Sequence, residues 1–314
     1  MTYKKFNILA ISWMMGLLLL AGALNLVIDP LSRIWISPGG PYFSSEREFK
    51  ELLWKKGDWN ALLLGSSRPA NIDTQKLNPL VPRFFNGAFS NAVPEEIFEF
   101  LKPKIKNISA VVLSLDFYML NENTYPLRKE IESEASLSQL KYLMSFDTLL
   151  YSFQHLGKLL MGAPRTILDY GQRNTVLKDE QNRKTSGYDY ANTLRHLFLT
   201  DYHDFQYSEA RLRSLEAIRD LCKAHQVPLY VFVNPTNEEV IKNMQTVGLE
   251  SLEKKFATDL QKVFGRVWTF DPEFSAKDLY YRFDPAHYTP DTGERLLLKI
   301  IQDVGSSFLG ERNK

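Results

Sequence analysis

The sequence contains a single cysteine, Cys222, so no disulfide can form within the chain. It has no Cys/His cluster with the spacing of a zinc site, and we predict no metal. Its 38 basic and 37 acidic residues leave a formal charge of +1, without a basic block. A nucleic-acid-binding protein needs such a block to follow the phosphate backbone, so we predict no nucleic acid partner.

Only one segment is apolar enough to cross a membrane: residues 6–28, which carry no charge. As a helix it would be about 35 Å long, enough for the bilayer core. Lys4 and Lys5 precede it, so the positive-inside rule predicts a cytoplasmic N-terminus and an extracytoplasmic main domain. Two alternatives stay open, a signal peptide cleaved after Ala23 and a buried core helix of a cytoplasmic protein. We favour a single-pass cell-membrane anchor over residues 1–30.

After the anchor, the chain alternates between short apolar segments and amphipathic stretches. Residues 31–57 form a linker with a short helix over residues 46–55, and residues 58–314 form one large domain. Compact apolar or β-branched segments predict five buried strands: residues 61–64, 83–85, 110–115, 229–233 and 267–270. The intervening periodicity predicts helices at residues 94–101, 208–223, 237–263 and 289–301. This alternation predicts a doubly wound parallel α/β sheet that binds ligands at the carboxyl ends of its strands.

A long insertion separates the third and fourth predicted strands. Residues 121–207 are too many for a simple loop and need structure of their own. Within them, residues 136–161 look helical with large apolar side chains, whereas residues 165–192 are polar and rich in turn formers. An insertion at the strand ends is suited to building a substrate groove or a partner surface, so we expect a largely helical insertion with that role.

Two short motifs predict a nucleophilic site. Ser67 follows Gly65-Ser66 at the end of the first strand, where a nucleophile would be exposed. Near the C-terminus, Asp284 precedes His287 by three residues, ahead of the last helix. There Asp284 can hold Nδ1–H of His287 while Nε2 faces the serine. Each motif alone is most often an ordinary turn or helix lead-in, but their occurrence together in this order predicts a Ser67–His287–Asp284 triad.

These motifs resemble those of the SGNH (GDSL-type) hydrolases. The resemblance is to membrane-anchored members that work beside membrane-bound O-acyltransferases, such as the alginate O-acetylation and lipoteichoic-acid D-alanylation proteins. Gly65-Ser66-Ser67 stands where the family has Gly-Asp-Ser, and the segment from Asn86 to Ser90 resembles the second block. The resemblance implies that Ser67 is the nucleophile and that the backbone N–H groups of Ser67 and Gly87 form the oxyanion hole.

The third block departs from the family pattern. Where the family has Gly-x-Asn-Asp, this chain has Ser114-Leu115-Asp116-Phe117. An ionised carboxylate cannot donate a hydrogen bond, so the asparagine donor of the oxyanion hole is missing. Loss of one such donor typically costs about a hundredfold or more in rate.

Several other polar residues near the two motifs are candidates for the pocket: Ser66, Arg68, Asn86, Asp116 and Asn234. Arg68 would contact an anionic substrate group, or else pair with a neighbouring helix. Asn234 would line the pocket, or else cap the following helix. His203 lies beside Asp201 and Asp204, but such a loop usually faces water, so we assign no metal to it.

The resemblance implies acyl transfer through a serine acyl-enzyme. The expected reaction is O-acylation, in particular O-acetylation, of an envelope polysaccharide, with a membrane-bound O-acyltransferase as partner and acyl-group supplier. The chemistry needs no cofactor. Two alternatives stay open: an esterase that uses the same triad with water as acceptor on a carbohydrate or lipid, and a non-catalytic assembly subunit of an acylation complex. The missing asparagine is the best support for the second.

Overall fold

The computed structural model describes residues 3–35, 46–124, 139–184 and 188–309. The described residues form the helices α1 (Tyr3–Ile28), α2 (Glu46–Lys56), α3 (Pro94–Leu101), α4 (Gln139–Leu143), α5 (Phe146–Leu160), α6 (Val176–Lys184), α7 (Tyr188–Thr200), α8 (Glu209–Ala224), α9 (Glu238–Thr246), α10 (Glu250–Phe264) and α11 (Pro290–Val304). They form the strands β1 (Ala61–Leu64), β2 (Phe84–Asn86), β3 (Ala110–Leu115), β4 (Leu229–Val233), β5 (Tyr280–Tyr281) and β6 (Asp284–Tyr288).

The chain divides into two compact units. The first comprises residues 1–56 and 128–168, and the second comprises residues 57–127 and 169–314. The predicted insertion over residues 121–207 is therefore shared between them: α4 and α5 lie in the unit of α1, whereas α6 and α7 lie in the unit of the strands. The linker segment from Ser37 to Pro41 and the first residues of the helix expected at 136–161 lie outside the described residues.

The first unit contains one long apolar helix. Helix α1 has 26 residues, and it is long and apolar enough to cross a membrane. Only 11% of its most apolar window is buried, which is far less than a core helix of a soluble domain would bury. Helices α4 and α5 pack against α1.

The second unit is built on a four-stranded parallel sheet in the order β2-β1-β3-β4. Ala61 of β1 pairs with Phe84 on one side and with Ala110 on the other, and Val111 of β3 pairs with Leu229 of β4. Strands β1 and β3 are fully buried, as their continuous apolar sequences predict. Because all four strands are parallel, their carboxyl ends meet at one edge of the sheet.

Helix α11 packs its apolar face into the hydrophobic core beside the sheet. It begins with Pro290, whose missing N–H costs nothing in the first turn of a helix. Its apolar face, which includes Leu296, Leu297 and Ile300, is buried in the cluster that contains Leu63 of the sheet. Burial of each such side chain contributes roughly 1.5–3 kcal/mol. This packing holds the segment that precedes α11, and therefore His287, against the sheet.

Most predicted strands are confirmed, with one error. Strands at residues 61–64, 110–115 and 229–233 have the predicted bounds, and the second strand is displaced by one residue. The fifth predicted strand, residues 267–270, is wrong, because a single bridge from Trp268 to Phe232 takes its place. The chain turns directly afterwards, where the N–H of Phe274 donates to the carbonyl of Phe270.

Three further local predictions differ from the structure. The helix predicted over residues 237–263 is two helices, α9 and α10, because the chain turns at Gly248 with a φ of 77°. The polar segment at residues 165–192 contains α6 and the start of α7. The loop expected at Asp284–His287 is strand β6, which pairs antiparallel with β5.

Candidate active site

The turn after β1 requires a glycine directly before the serine pair. Gly65 has a φ of 150°, which side-chain-bearing residues rarely adopt. A Cβ at this position would lie only 2.8 Å from the carbonyl oxygen of Ser114 on β3. The close approach of the turn to β3 therefore explains Gly65. It places Ser67, which is partly exposed, at the carboxyl edge of the sheet.

Ser67, His287 and Asp284 form a continuous chain of hydrogen bonds. Nε2 of His287 lies 2.8 Å from Oγ of Ser67. Nδ1 of the same ring lies 2.7 Å from Oδ2 of Asp284, whose Oδ1 accepts from the backbone N–H of Ala286 at 3.0 Å. With Nδ1 protonated towards the carboxylate, Nε2 is left to accept the serine proton. This is the geometry that activates a hydroxyl nucleophile.

The protonation states suit a general base. Burial alone would raise the pKa of Asp284, but attraction to His287 and Lys178 and the hydrogen bonds from His287 and Ala286 hold that pKa well below its ordinary value. Burial lowers the pKa of His287, and the positive charges of Lys178 and Arg173 lower it further, against the opposing attraction of Asp284. His287 is therefore neutral near pH 7 while Asp284 is ionised, as a triad requires.

Two cations lie beside the triad, and sequence reasoning did not identify either. Nζ of Lys178 lies 3.6 Å from Oδ2 of Asp284 and over the ring of Tyr281. Arg173 donates a hydrogen bond to the hydroxyl of Ser90. Both belong to the segment predicted only as polar and turn-rich, which carries no motif that would have singled them out.

Helix α6 reaches the triad because it is tied to the β5–β6 hairpin. The hydroxyl of Tyr281 donates to Oδ1 of Asp179 at 3.2 Å, and the backbone N–H of Arg282 donates to Oδ1 of Asn182 at 2.5 Å. These contacts fix α6 above Asp284, so that Lys178 faces the carboxylate.

The candidate pocket residues are buried beneath the nucleophile rather than lining an open pocket. Arg68 is 4% exposed and forms an ion pair with Asp116, with 3.1 Å between Nη1 and Oδ1. Asn234 donates to the same Oδ1 at 3.0 Å and accepts from the hydroxyl of Tyr288 at 2.9 Å. Ser66 is fully buried, and its hydroxyl accepts from the backbone N–H of Arg68. In this structure Arg68 and Asn234 are engaged with Oδ1 of Asp116, and direct contact of these residues with substrate stays a prediction.

Asn86 and Gly87 also have structural partners. The Asn86 amide donates to the carbonyl oxygens of Pro69 and Ile72 at 2.8 and 2.9 Å, so it secures the turn that carries Ser67. The N–H of Gly87 donates to the carbonyl oxygen of Leu63 at 2.8 Å. That N–H continues the pairing of β1 and β2, so in this geometry it does not face an oxyanion. The assignment of Gly87 to the oxyanion hole is corrected accordingly.

The backbone N–H of Ser67 is the remaining assigned oxyanion donor. Within the described part of the chain it has no hydrogen-bond partner. Asp116 is held by Arg68 and Asn234, and as an ionised group it supplies no donor. One free N–H next to the nucleophile can polarise a carbonyl, but it provides less stabilisation than the two or three donors of a complete oxyanion hole.

Groups that could bind a metal are absent from the residues that the structure describes. His203 pairs with its neighbour Asp204 at 3.1 Å, and both side chains are well exposed. His203 also lines a cavity of about 660 Å³ together with Phe198, Tyr202 and Asn243. None of the triad residues lines that cavity.

No protein-family model and no curated protein matches this chain.

Proposed function

We propose that this protein is a membrane-anchored serine acyltransferase of the SGNH type, which transfers an acyl group, in particular acetyl, to an envelope polysaccharide. The observation that carries the proposal is the hydrogen-bonded chain from Ser67 through His287 to Asp284. Four parallel strands, with the nucleophile after the first, are consistent with that superfamily. The resemblance of the motifs supplies the acyl class and the polysaccharide acceptor.

The proposed reaction begins with attack by Oγ of Ser67 on the carbonyl carbon of an acyl donor. Nε2 of His287 takes the serine proton as the new C–O bond forms, and Asp284 stabilises the imidazolium. The N–H of Ser67 donates to the oxyanion. The leaving group departs with the proton from His287, which leaves an acyl ester on Ser67. A sugar hydroxyl then attacks that ester and gives its proton to His287. When the bond between the acyl carbon and Oγ of Ser67 breaks, His287 returns the proton to Oγ, which regenerates the serine and the neutral base.

We further propose that α1 anchors the chain in a cell membrane and places the catalytic unit on the extracytoplasmic side. Lys4 and Lys5 before the apolar segment support that orientation. An acyl donor at the membrane would come from a membrane-bound O-acyltransferase, which is the partner implied by the resemblance. A catalytic unit beside that partner would pass acyl groups to glycan outside the cell.

A specific observation favours a second candidate function, a non-catalytic assembly subunit. The N–H of Gly87 is used within the sheet, and Asp116 is paired with Arg68. A site with one assigned oxyanion donor is weaker than a complete one. An assembly subunit, however, has no need to keep Ser67 and His287 at 2.8 Å.

A serine-directed fluorophosphonate probe separates the two candidates. We expect the full chain in detergent or nanodiscs to become labelled at Ser67, and the modified peptide to be identified by mass spectrometry. Ser67→Ala, His287→Ala and the double variant should lose labelling to about the same extent, because either change alone disables nucleophile activation. Ser306→Ala, which removes an exposed serine near the C-terminus, is the matched control and should label normally. Unchanged labelling of His287→Ala would contradict the triad.

A further inference from the structure

Helix α5 has an inverted distribution of polar and apolar side chains. Thr148, Ser152 and His155 are buried, whereas Phe146, Leu150, Phe153 and Leu160 are 77%, 48%, 57% and 79% exposed. A helix on the surface of a water-soluble domain does the opposite, because burial of its apolar face provides the driving force for packing. The pattern of α5 is therefore that of a helix whose outer face does not meet water.

The contact of α1 with α5, and with the end of α4 and the turn that precede α5, is polar and closely packed. Oγ of Ser152 donates to Oδ1 of Asn25 at 2.8 Å, and the Asn25 amide donates to the carbonyl oxygen of Leu143 at 2.7 Å. Gly22 allows a close approach, since a Cβ there would lie 3.2 Å from Cε of Met144. Small residues and interhelical hydrogen bonds are the means by which helices associate inside a bilayer, where the surrounding lipid is as apolar as the side chains.

The end of α1 is tied to α4 by a buried carboxylate. Asp29 accepts hydrogen bonds from the backbone N–H groups of Arg33, Ile34 and Trp35, and from the hydroxyl of Tyr142 at 2.7 Å. Helices α4 and α5 are therefore held beside the end of α1 that terminates at Ile28. Helices α5 and α1 belong to the same compact unit. Near the end of α1, Leu26 and Val27 are exposed, as are the apolar side chains of α5.

The length of α5 fits partial insertion. Fifteen residues make a helix of about 22 Å, which is shorter than a bilayer core of about 30 Å. Asp147 in its first turn and Lys158 in its last turn enclose ten residues without a charge. Such a helix can lie within one leaflet but cannot cross both.

We propose that α5 is embedded in the leaflet in which α1 ends, with phospholipid acyl chains covering Phe146, Leu150, Phe153 and Leu160. The chain then holds the membrane through two elements rather than through α1 alone. The proposal rests on the proposed anchoring by α1, and it is independent of the acyl chemistry.

Site-directed spin labelling of the full chain tests this proposal. Leu150→Cys and Phe153→Cys are labelled with a nitroxide and reconstituted in phosphatidylethanolamine/phosphatidylglycerol vesicles. Leu18→Cys on α1 is the lipid reference, and Ala257→Cys on the exposed face of α10 is the aqueous reference. The parent chain is the labelling blank, because Cys222 is buried and burial raises the pKa of its thiol to about 12.

The measured quantity is the ratio of collisions with oxygen to collisions with a water-soluble nickel chelate. We expect this ratio to be several-fold higher for the labels at positions 150 and 153 than for the label at 257. The label at 18 should show the same high ratio. Labels at 150 and 153 that behave like 257 while 18 remains lipid-like would overturn the proposal and leave the anchor intact. Exclusion of both reagents at 150 and 153 would mean that protein covers this face, and would also overturn it. A water-like label at 18 would refute the anchor itself, and with it the insertion of α5.

Phe153→Trp gives a second measurement that needs no label. In vesicles of lipids brominated on their acyl chains, its added fluorescence should be quenched more strongly than the added fluorescence of an Ala257→Trp control. Equal quenching of the two variants would contradict embedding of α5.

Discussion

Removal of the positive charge on Lys178 should change the pH dependence of serine activation. Nζ of Lys178 lies 3.6 Å from Oδ2 of Asp284, and Nδ1 of His287 lies 2.7 Å from the same oxygen. The two nitrogens are therefore no more than about 6 Å apart. Two positive charges at about 6 Å in an effective dielectric of 20 repel by about 2.8 kcal/mol, which is about two pKa units.

Solvent screening reduces that value. The side chain of Lys178 is 31% exposed, so we expect a net effect of roughly one pKa unit. The sign follows from the role of His287, which acts as a base only when it is neutral. Lys178 disfavours the imidazolium and thereby lowers the pKa of His287. Lys178→Met should raise that pKa and move the acid limb of the rate profile to higher pH by about one unit.

The assay is the rate of fluorophosphonate labelling at Ser67 as a function of pH. Below the limb, the Lys178→Met variant should react up to about tenfold more slowly than the parent at the same pH, and equally fast well above it. Lys178→Arg should keep the parent limb, because it keeps the charge. Lys184→Met, at the exposed end of the same helix, is the matched control. An acid limb of Lys178→Met that superposes on the parent would mean that the charge of Lys178 does not lower the pKa of His287.

Three further outcomes are expected. Asp116→Asn leaves the buried Arg68 without its counter-charge and should cost about 3 kcal/mol of stability, seen as a lower Tm. Asp303→Asn, which breaks the exposed pair with Arg266, should cost less than about 1 kcal/mol. Equal losses of stability would mean that burial does not strengthen the Arg68–Asp116 pair. Asp284→Asn should reduce labelling at Ser67 strongly through the wrong histidine tautomer, and Ser66→Ala should reduce it less; the reverse order would contradict the assigned roles. A reporter fused after Lys314 should be active only in an extracytoplasmic compartment, and activity of a cytoplasm-only reporter there would refute the orientation.

The central strands could be predicted from the sequence because each is a short apolar run with a clear end. Strands β1 and β3 are buried along their whole length, so their side chains need no alternation. The fifth predicted strand was inferred from the same feature, a short apolar or β-branched run, and was wrong. Residues 267–270 are equally apolar, but a single bridge at Trp268 is all that forms before the chain turns. The apolar composition of a segment does not specify how many of its residues pair with the neighbouring strand.

The proximity of Ser67, Asp284 and His287 was predictable from two motifs taken together. Ser67 follows a predicted parallel strand, and Asp284 precedes His287 by three residues directly before the last helix. The cations were not predictable in this way. Lys178 reaches Asp284 only because Tyr281 and Arg282 hold α6 on the hairpin, and these contacts join residues about a hundred positions apart. The use of the Gly87 N–H by Leu63 was also hidden, since the sequence does not specify which backbone groups the sheet consumes.

Acylation of the native envelope glycan in cells that carry Ser67→Ala at the parent protein level tests the proposed function most directly. Glycan acylation should be lost, because the substitution removes the oxygen that carries the acyl group in the proposed reaction. Ser306→Ala at the same level should leave acylation unchanged. Full acylation in the Ser67→Ala strain would contradict a catalytic role of Ser67 and leave the assembly-subunit function.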